Sequence, residues 1–198
     1  ITKDGTQLSA IVKEAIEDSY KRLIAPSIEN EIRSDLTERA QNGAISLFSI
    51  NLKNLLMTPP VKGHIVLGVD PGYRTGCKLA VVDSTGKVLE TGVGYFTLEH
   101  HDLEKAKKQV RGMIERNSVT LISIGNGTAT GESEKFIASL IGEMDMPVKY
   151  MVVSEAGASV YSASELGAKE FPDYDVSLRS AVSIARRLQD PLAELVKI

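Results

Sequence analysis

The chain has 198 residues, 42% of them hydrophobic and 25% charged, with a formal net charge of −3. That is enough apolar material for one globular core with an appended layer, and too much for a disordered chain. The slight acidity excludes nucleic-acid binding by bulk positive charge, which needs a basic face, and leaves only a local patch for that purpose.

Residues 1–58 repeat with a helical period. Leu8, Ile11, Val12, Ala15, Ile16, Ser19 and Leu23 share one face, with Lys13, Glu14, Glu17 and Asp18 opposite. Pro26 is expected to interrupt that helix, because it lacks an N–H and its ring crowds the preceding turn. A second segment resumes with Ile28, Ile32, Leu36, Ala40, Ala44, Leu47 and Phe48, and its charges of both signs form a solvated face. No catalytic constellation occurs there, and packing helices of a neighbouring helical domain are the expectation. Thr58-Pro59-Pro60 ends the helical part.

Ile65 to Val69 is an unbroken apolar run, which predicts a strand buried on both faces, and Asp70 stands at its end. Pro71-Gly72 turns the chain, so that Cys77 to Val82 folds back as an antiparallel partner. Cys77, the single cysteine, excludes a disulfide framework, suits a reducing cytoplasm and reads as a small core residue. Asp83 to Lys87 is a turn, and Val88 to Tyr95 a third strand whose Gly92 and Gly94 suit a bulge or a sheet edge. Leu103, Ala106, Val110, Met113 and Ile114 mark a helix. Its Lys105, Lys107, Lys108, Arg111 and Arg116 read as solvated surface, since no aromatic residues are interleaved.

Val119 to Ile124 predicts a fourth strand, ending in Gly125-Asn126-Gly127-Thr128. Thr128 or Thr130 would cap the next helix, and a glycine-rich turn before a helix N-terminus is an anion-binding geometry. No nucleoside-triphosphate or dinucleotide motif accompanies it. Val148 to Val153 is the fifth strand, and Glu155 follows at the sheet edge where ligands of α/β proteins bind. Each acid also has an ordinary reading, Asp70 as a turn former and Glu155 as a charge at a helix N-terminus. In the last long helix Asp175 or Ser177 is the cap and Leu178, Ala181, Val182, Ala185 and Leu188 face the core. Arg179, Arg186 and Arg187 are left for solvent, a partner or phosphate. Asp190-Pro191 starts a further helical segment. No apolar run of about 18 residues and no leader pattern is present, so neither a membrane span nor a secretion signal is expected. The chain opens on Ile1 and ends within a helical pattern, as expected of a piece of a longer polypeptide.

Three consecutive strands followed by strand and helix in alternation predict an α/β fold. Its mixed five-stranded sheet is flanked by helices and preceded by an α-helical segment, which is the element order of the ribonuclease H-like fold. The expected divisions are a helical segment over 1–60, the sheet domain over 61–190 and the start of a further helical region over 191–198. The stretches GVDPGYRTGCKLAVVDSTGKVLET, IGNGTATGESEK and VSEAGASVYSASELGAKEFPDYDVSLRSAVSIARRLQDPLAELVKI carry a resemblance from about Gly63 to Ile198. They resemble the YqgF, or RuvC-resolvase-like, domain of the Tex family of bacterial transcription accessory proteins. Residues 1–58 resemble the helical segment that precedes it.

That resemblance implies a cytoplasmic factor that binds RNA or DNA and acts with the transcription machinery. The family's helix-hairpin-helix repeats and S1 domain lie outside this chain. Enzymes of the fold hold two divalent cations about 4 Å apart. The resemblance implies that Asp70 and Glu155 are the matching acids, catalytic and metal-holding if a metal binds. The final helix departs from the resolvase arrangement D-x-x-D-A, reading Ser177-Leu178-Arg179-Ser180-Ala181. Two carboxylates do not readily hold two Mg²⁺ ions, and Asp173 or Asp175 substitutes only if its loop folds over the sheet edge. The expectation is therefore a scaffold with a degenerate nuclease site, requiring no cofactor, with Mg²⁺ or Mn²⁺ as the ion it would take. Arg186 and Arg187 are the expected contacts to phosphate or a neighbouring domain. The alternatives are an active divalent-metal-dependent endonuclease of the Holliday-junction-resolvase-like class, which needs a third acid near Asp70, and a protein-interaction module.

Overall fold

The structure is a computed structural model that describes residues 7–98 and 102–198; residues 1–6 of the predicted helical segment lie outside the described residues. The chain divides into two compact units, Ile1–Asn54 and Leu55–Ile198. The first is helical, with α1 (Gln7–Ser19), a π-helical stretch at Tyr20–Ile24, and the start of α2 (Ala25–Leu56). Pro26 does not interrupt the helix as expected. Ser19 and Ala25 both keep helical dihedrals, and the Ala25 N–H donates to the Tyr20 carbonyl five residues back. This wider turn, placed just before the proline, relieves the clash between its ring and the carbonyl four residues earlier.

The second unit is built on a five-stranded sheet: β1 (Val66–Asp70), β2 (Cys77–Val82), β3 (Val88–Gly94), β4 (Leu121–Gly125) and β5 (Lys149–Val153). The strands lie in the order β3-β2-β1-β4-β5. β1 pairs antiparallel with β2 and β2 with β3, whereas β1, β4 and β5 run parallel. This mixed sheet with a central β1 is the ribonuclease H-like arrangement that the element order predicts. β3 is an edge strand and its ladder shifts register at Val81/Val82, which joins both expectations for the glycine-bearing strand.

Side chains alternate across β1, so one face takes Leu67 and Val69 and the other Val66 and Gly68. Against the first face pack α3 (Leu103–Asn117) and α4 (Thr130–Gly142), through Val110, Met113, Ile114, Ile137 and Leu140. Cys77 is buried in that layer, as a small core residue. Two short helices, α5 (Ala158–Ala163) and α6 (Glu165–Glu170), lead to α7 (Val176–Gln189), which covers the second face; α8 (Pro191–Leu195) follows it. α7 sets Ala181, Val182, Ala185 and Leu188 against Val66, Ala80 and Val82. Burying each such aliphatic side chain contributes about 1.5–3 kcal/mol. The close approach of α7 depends on Gly68, where a Cβ would stand 2.8 Å from the Ala185 Cβ and 2.9 Å from its nitrogen. From β4, the buried Ser123 hydroxyl donates to the Ile184 carbonyl at 2.8 Å and fixes the helix along the sheet.

Candidate functional site

Asp70 ends β1, and its register partner on β2 is Lys78. The Ser180 hydroxyl of α7 lies beside the Asp70 carboxylate and favours its charged form. Burial raises its pKa above the ordinary 3.8, while the Ser180 bond and the Lys78 charge act in the opposite direction. The Lys78 ammonium donates to the Thr75 carbonyl of the β1–β2 turn, which holds that cation at the rim of the strand. Sequence reasoning missed Lys78, although its pairing follows once the hairpin register is known.

Glu155 leaves the end of β5. Its backbone N–H donates to Asn126 Oδ1 at 3.0 Å, and its carboxylate lies against Gly127, whose backbone lowers its pKa. The absence of a side chain at Gly125 is what makes room: a Cβ there would lie 2.7 Å from Glu155 Oε2. The anion held by this glycine-rich turn is thus the chain's own glutamate. Neither threonine caps α4. Its N-cap is Ala129, without a side-chain bond, and the Thr130 hydroxyl, already inside the first turn, donates to the Gly125 and Gly127 carbonyls at 2.8 and 2.7 Å.

The structure brings Asp70 and Glu155 together. Burial raises the Glu155 pKa, the negative charge of Asp70 raises it further, and the Arg187 guanidinium opposes both. Glu155 Oε2 is buried without a hydrogen-bond partner. Two hard carboxylates, one with an unpartnered oxygen, fit a single Mg²⁺ or Mn²⁺ ion. Asp70 and Glu155 would hold it, and it would supply polarisation of a phosphoryl oxygen.

No third acid joins them among the described residues, where no group of three or more His, Cys, Asp or Glu is placed to hold a metal. Asp175 is occupied as the cap of α7, accepting from the Leu178 N–H at 2.9 Å. Asp190 caps α8 through the Ala193 N–H at 3.1 Å.

Arg186 and Arg187 are both turned inward. Arg187 is 4% exposed, and its Nη1 donates to the Ser154 and Ala156 carbonyls at 2.8 and 2.6 Å. Arg186 donates from Nε to the Gly86 carbonyl at 2.7 Å, pairs with Glu170, and lies 5.1 Å from the centre of the Phe171 ring. A signal for Arg187 was present: it stands seven residues after Ser180, on the same face of α7. On α3, Lys107 and Arg111 pair with Glu143, and Arg116 with Glu90.

No helix among the described residues is long and apolar enough to cross a membrane. Over its full 198 residues the chain is 56% identical to the uncharacterized protein YdcI of Bacillus subtilis, and spans 28% of that protein. Over 188 residues, 94% of this chain and 24% of the relative, it is 50% identical to the transcriptional accessory protein Tex of Neisseria gonorrhoeae. The chain thus spans about a quarter of the length of these curated relatives. Among solved structures, the yeast mitochondrial Holliday junction resolvase Ydc2 is similar at 14% identity and a TM-score of 0.45, over 73% of this chain and 85% of that one. That score is too low to argue from, and the fold assignment stands on the strand order instead. The family model for the Tex protein YqgF-like domain matches residues 64–189, and the chain belongs to that family.

Proposed function

We propose that this chain is the nucleic-acid-associated part of a cytoplasmic transcription accessory factor, built on a nuclease scaffold that does not carry out two-metal hydrolysis. The observation that carries this reading is the contact between Ser180 and Asp70. Where α7 faces the site it offers a hydroxyl rather than a carboxylate. In-line phosphoryl transfer with two cations needs enough negative charge to hold both, and hard divalent ions are held through charged oxygens. Asp70 and Glu155 supply two such groups, sufficient for one ion. In this reading Arg186 and Arg187 serve the fold, since their hydrogen bonds are spent on carbonyls and on Glu170. Contacts to RNA or DNA then depend largely on the rest of the longer polypeptide. The membership of the Tex family supports the transcription setting.

The test is a cleavage assay on branched DNA, single-stranded DNA and RNA with Mg²⁺ or Mn²⁺, comparing the native chain with Asp70→Asn. The expected result is no cleavage above background for either. Turnover by the native chain that disappears in Asp70→Asn would establish an active nuclease and overturn the reading.

A further inference from the structure

Helix α7 brings no acid to the site, yet two of its residues hold the acids that are there. Ser180 and Arg187 are two helical turns apart and share the face toward the sheet. Both are buried, at 8% and 4% exposure. The Ser180 hydroxyl lies beside the Asp70 carboxylate. Arg187 reaches further, because its single Nη1 bonds the carbonyls of Ser154 and Ala156, the residues on either side of Glu155.

The first bond fixes the 154–155 peptide, which carries the Glu155 N–H, and the second fixes the 156–157 peptide; the 155–156 peptide between them is met by the Ser154 hydroxyl, which accepts from the Ala156 N–H at 3.3 Å. On the opposite side, Asn126 Oδ1 accepts from the Glu155 N–H, and the Glu155 carboxylate lies against Gly127, where a Cβ would stand 2.4 Å from its Oε1. The backbone around Glu155 is therefore held from α7 and from the β4–α4 turn, and its carboxylate lies against Gly125 and Gly127 of that turn.

The charges agree with this geometry. Arg187 faces Glu155 and Glu194, and Glu194 is already engaged by the Ser183 hydroxyl at 3.0 Å and by Lys197 at 2.8 Å. Among the described residues, the buried side-chain atoms without a partner are Glu155 Oε2, Arg187 Nε and Arg187 Nη2: one acceptor and two donors of opposite charge. An apolar residue of similar volume would fill the place of Arg187 without the penalty of desolvating a guanidinium. What the guanidinium adds is the pair of carbonyl bonds and a counter-charge for the glutamate.

We propose that α7 is the positioning helix of the acidic pair, with Ser180 orienting Asp70 and Arg187 clamping the peptides around Glu155 so that its carboxylate stays beside Asp70. The proposal rests on reading Asp70 and Glu155 as the functional pair, and it requires neither cleavage nor a bound ion. Its test is amide hydrogen exchange by NMR on the chain, in the native form, Arg187→Met and Arg187→Lys. In Arg187→Met the amides of Gly127 and Glu155 exchange roughly tenfold faster, while Val69 and Ile124 in the central strands keep their native rates. In Arg187→Lys, which can still donate to a carbonyl, the two rates stay within about threefold of native.

Unchanged exchange at Gly127 and Glu155 in Arg187→Met would overturn the clamp. So would equal acceleration across the whole sheet in both variants, which would make Arg187 a general stabiliser. Should Arg187→Met fail to fold, the native protein decides: separate, slowly averaging Nη resonances for Arg187 support the clamp, and a freely rotating guanidinium refutes it. Detection of nuclease activity would revise the proposed function and leave this result standing. Loss of the clamp would do the reverse.

Discussion

Replacing Ser180 by aspartate converts the missing ligand into a present one, and its consequences follow from the surroundings of that hydroxyl. Ser180 is buried beside Asp70, with Glu155 close enough to feel the Asp70 charge. Ser180→Asp removes the hydroxyl that favours the Asp70 carboxylate. It also sets a third negative charge beside the pair, and at 4 Å and an effective dielectric near 20 one such repulsion is on the order of 4 kcal/mol. Without divalent cations the variant is expected to lose much of a stability that for a domain of this kind is about 5–15 kcal/mol. With Mn²⁺ at about 100 times its dissociation constant, roughly 2.7 kcal/mol returns by linkage. The assay is urea unfolding of native chain and variant, each with EDTA and with Mn²⁺. A Mn²⁺-dependent gain that is larger in Ser180→Asp than in the native chain is the expected outcome. Equal gains in both, or no destabilisation in EDTA, would refute the argument that this hydroxyl stands where charge is wanting.

Three further outcomes can be checked on the same chain. Gly68→Ala forces a methyl group against the backbone of α7 at Ala181 and Ala185, and since backbone yields little, a loss of about 3 kcal/mol or more is expected in urea unfolding. Ser123→Ala leaves the Ile184 carbonyl without its buried donor and is expected to cost about 1–3 kcal/mol by the same measurement. Asp70→Asn is read through pH. The folded protein holds the Asp70 pKa above 3.8, chiefly by burial, so the favourable contribution of the protonated acid is present below that value and is lost as pH rises through the raised folded value. The thermal midpoint of Asp70→Asn relative to native should therefore rise as pH increases from 4 through this window; a difference that stays flat, or shrinks, contradicts the burial of the Asp70 carboxyl.

The sheet was legible because its signals are local. β1 is a continuous apolar run, the Pro71-Gly72 turn fixes the hairpin, and the unbroken apolar run of β4 stands between the helical periods of α3 and α4. Asp70 and Glu155 were legible for a related reason, since Asp70 closes β1, Glu155 comes two residues after β5, and the strand ends of one sheet edge lie together. Three features were not. Pro26 carries a strong breaking signal that is answered by a π-turn, and nothing in the residues Tyr20–Ile24 announces that turn. Thr128 or Thr130 was expected as a cap because the residue type suits one, but the cap position falls on Ala129 between them, and the Thr130 hydroxyl, within the first turn, goes to the loop carbonyls. Arg187 was left for solvent, a partner or phosphate because of its charge, whereas the helical period places it on the buried face with Ser180 and Ile184. A charged residue on an apolar helix face usually has a buried partner to serve.

The question at the centre is how many divalent ions this acidic pair can hold, and counting bound Mn²⁺ by electron paramagnetic resonance titration answers it directly. The account predicts at most one ion per chain at the Asp70 and Glu155 site, with isolated-ion spectra and loss of that ion in Asp70→Asn. Two ions per chain with the spectrum of a spin-coupled pair, both lost in Asp70→Asn, would contradict it.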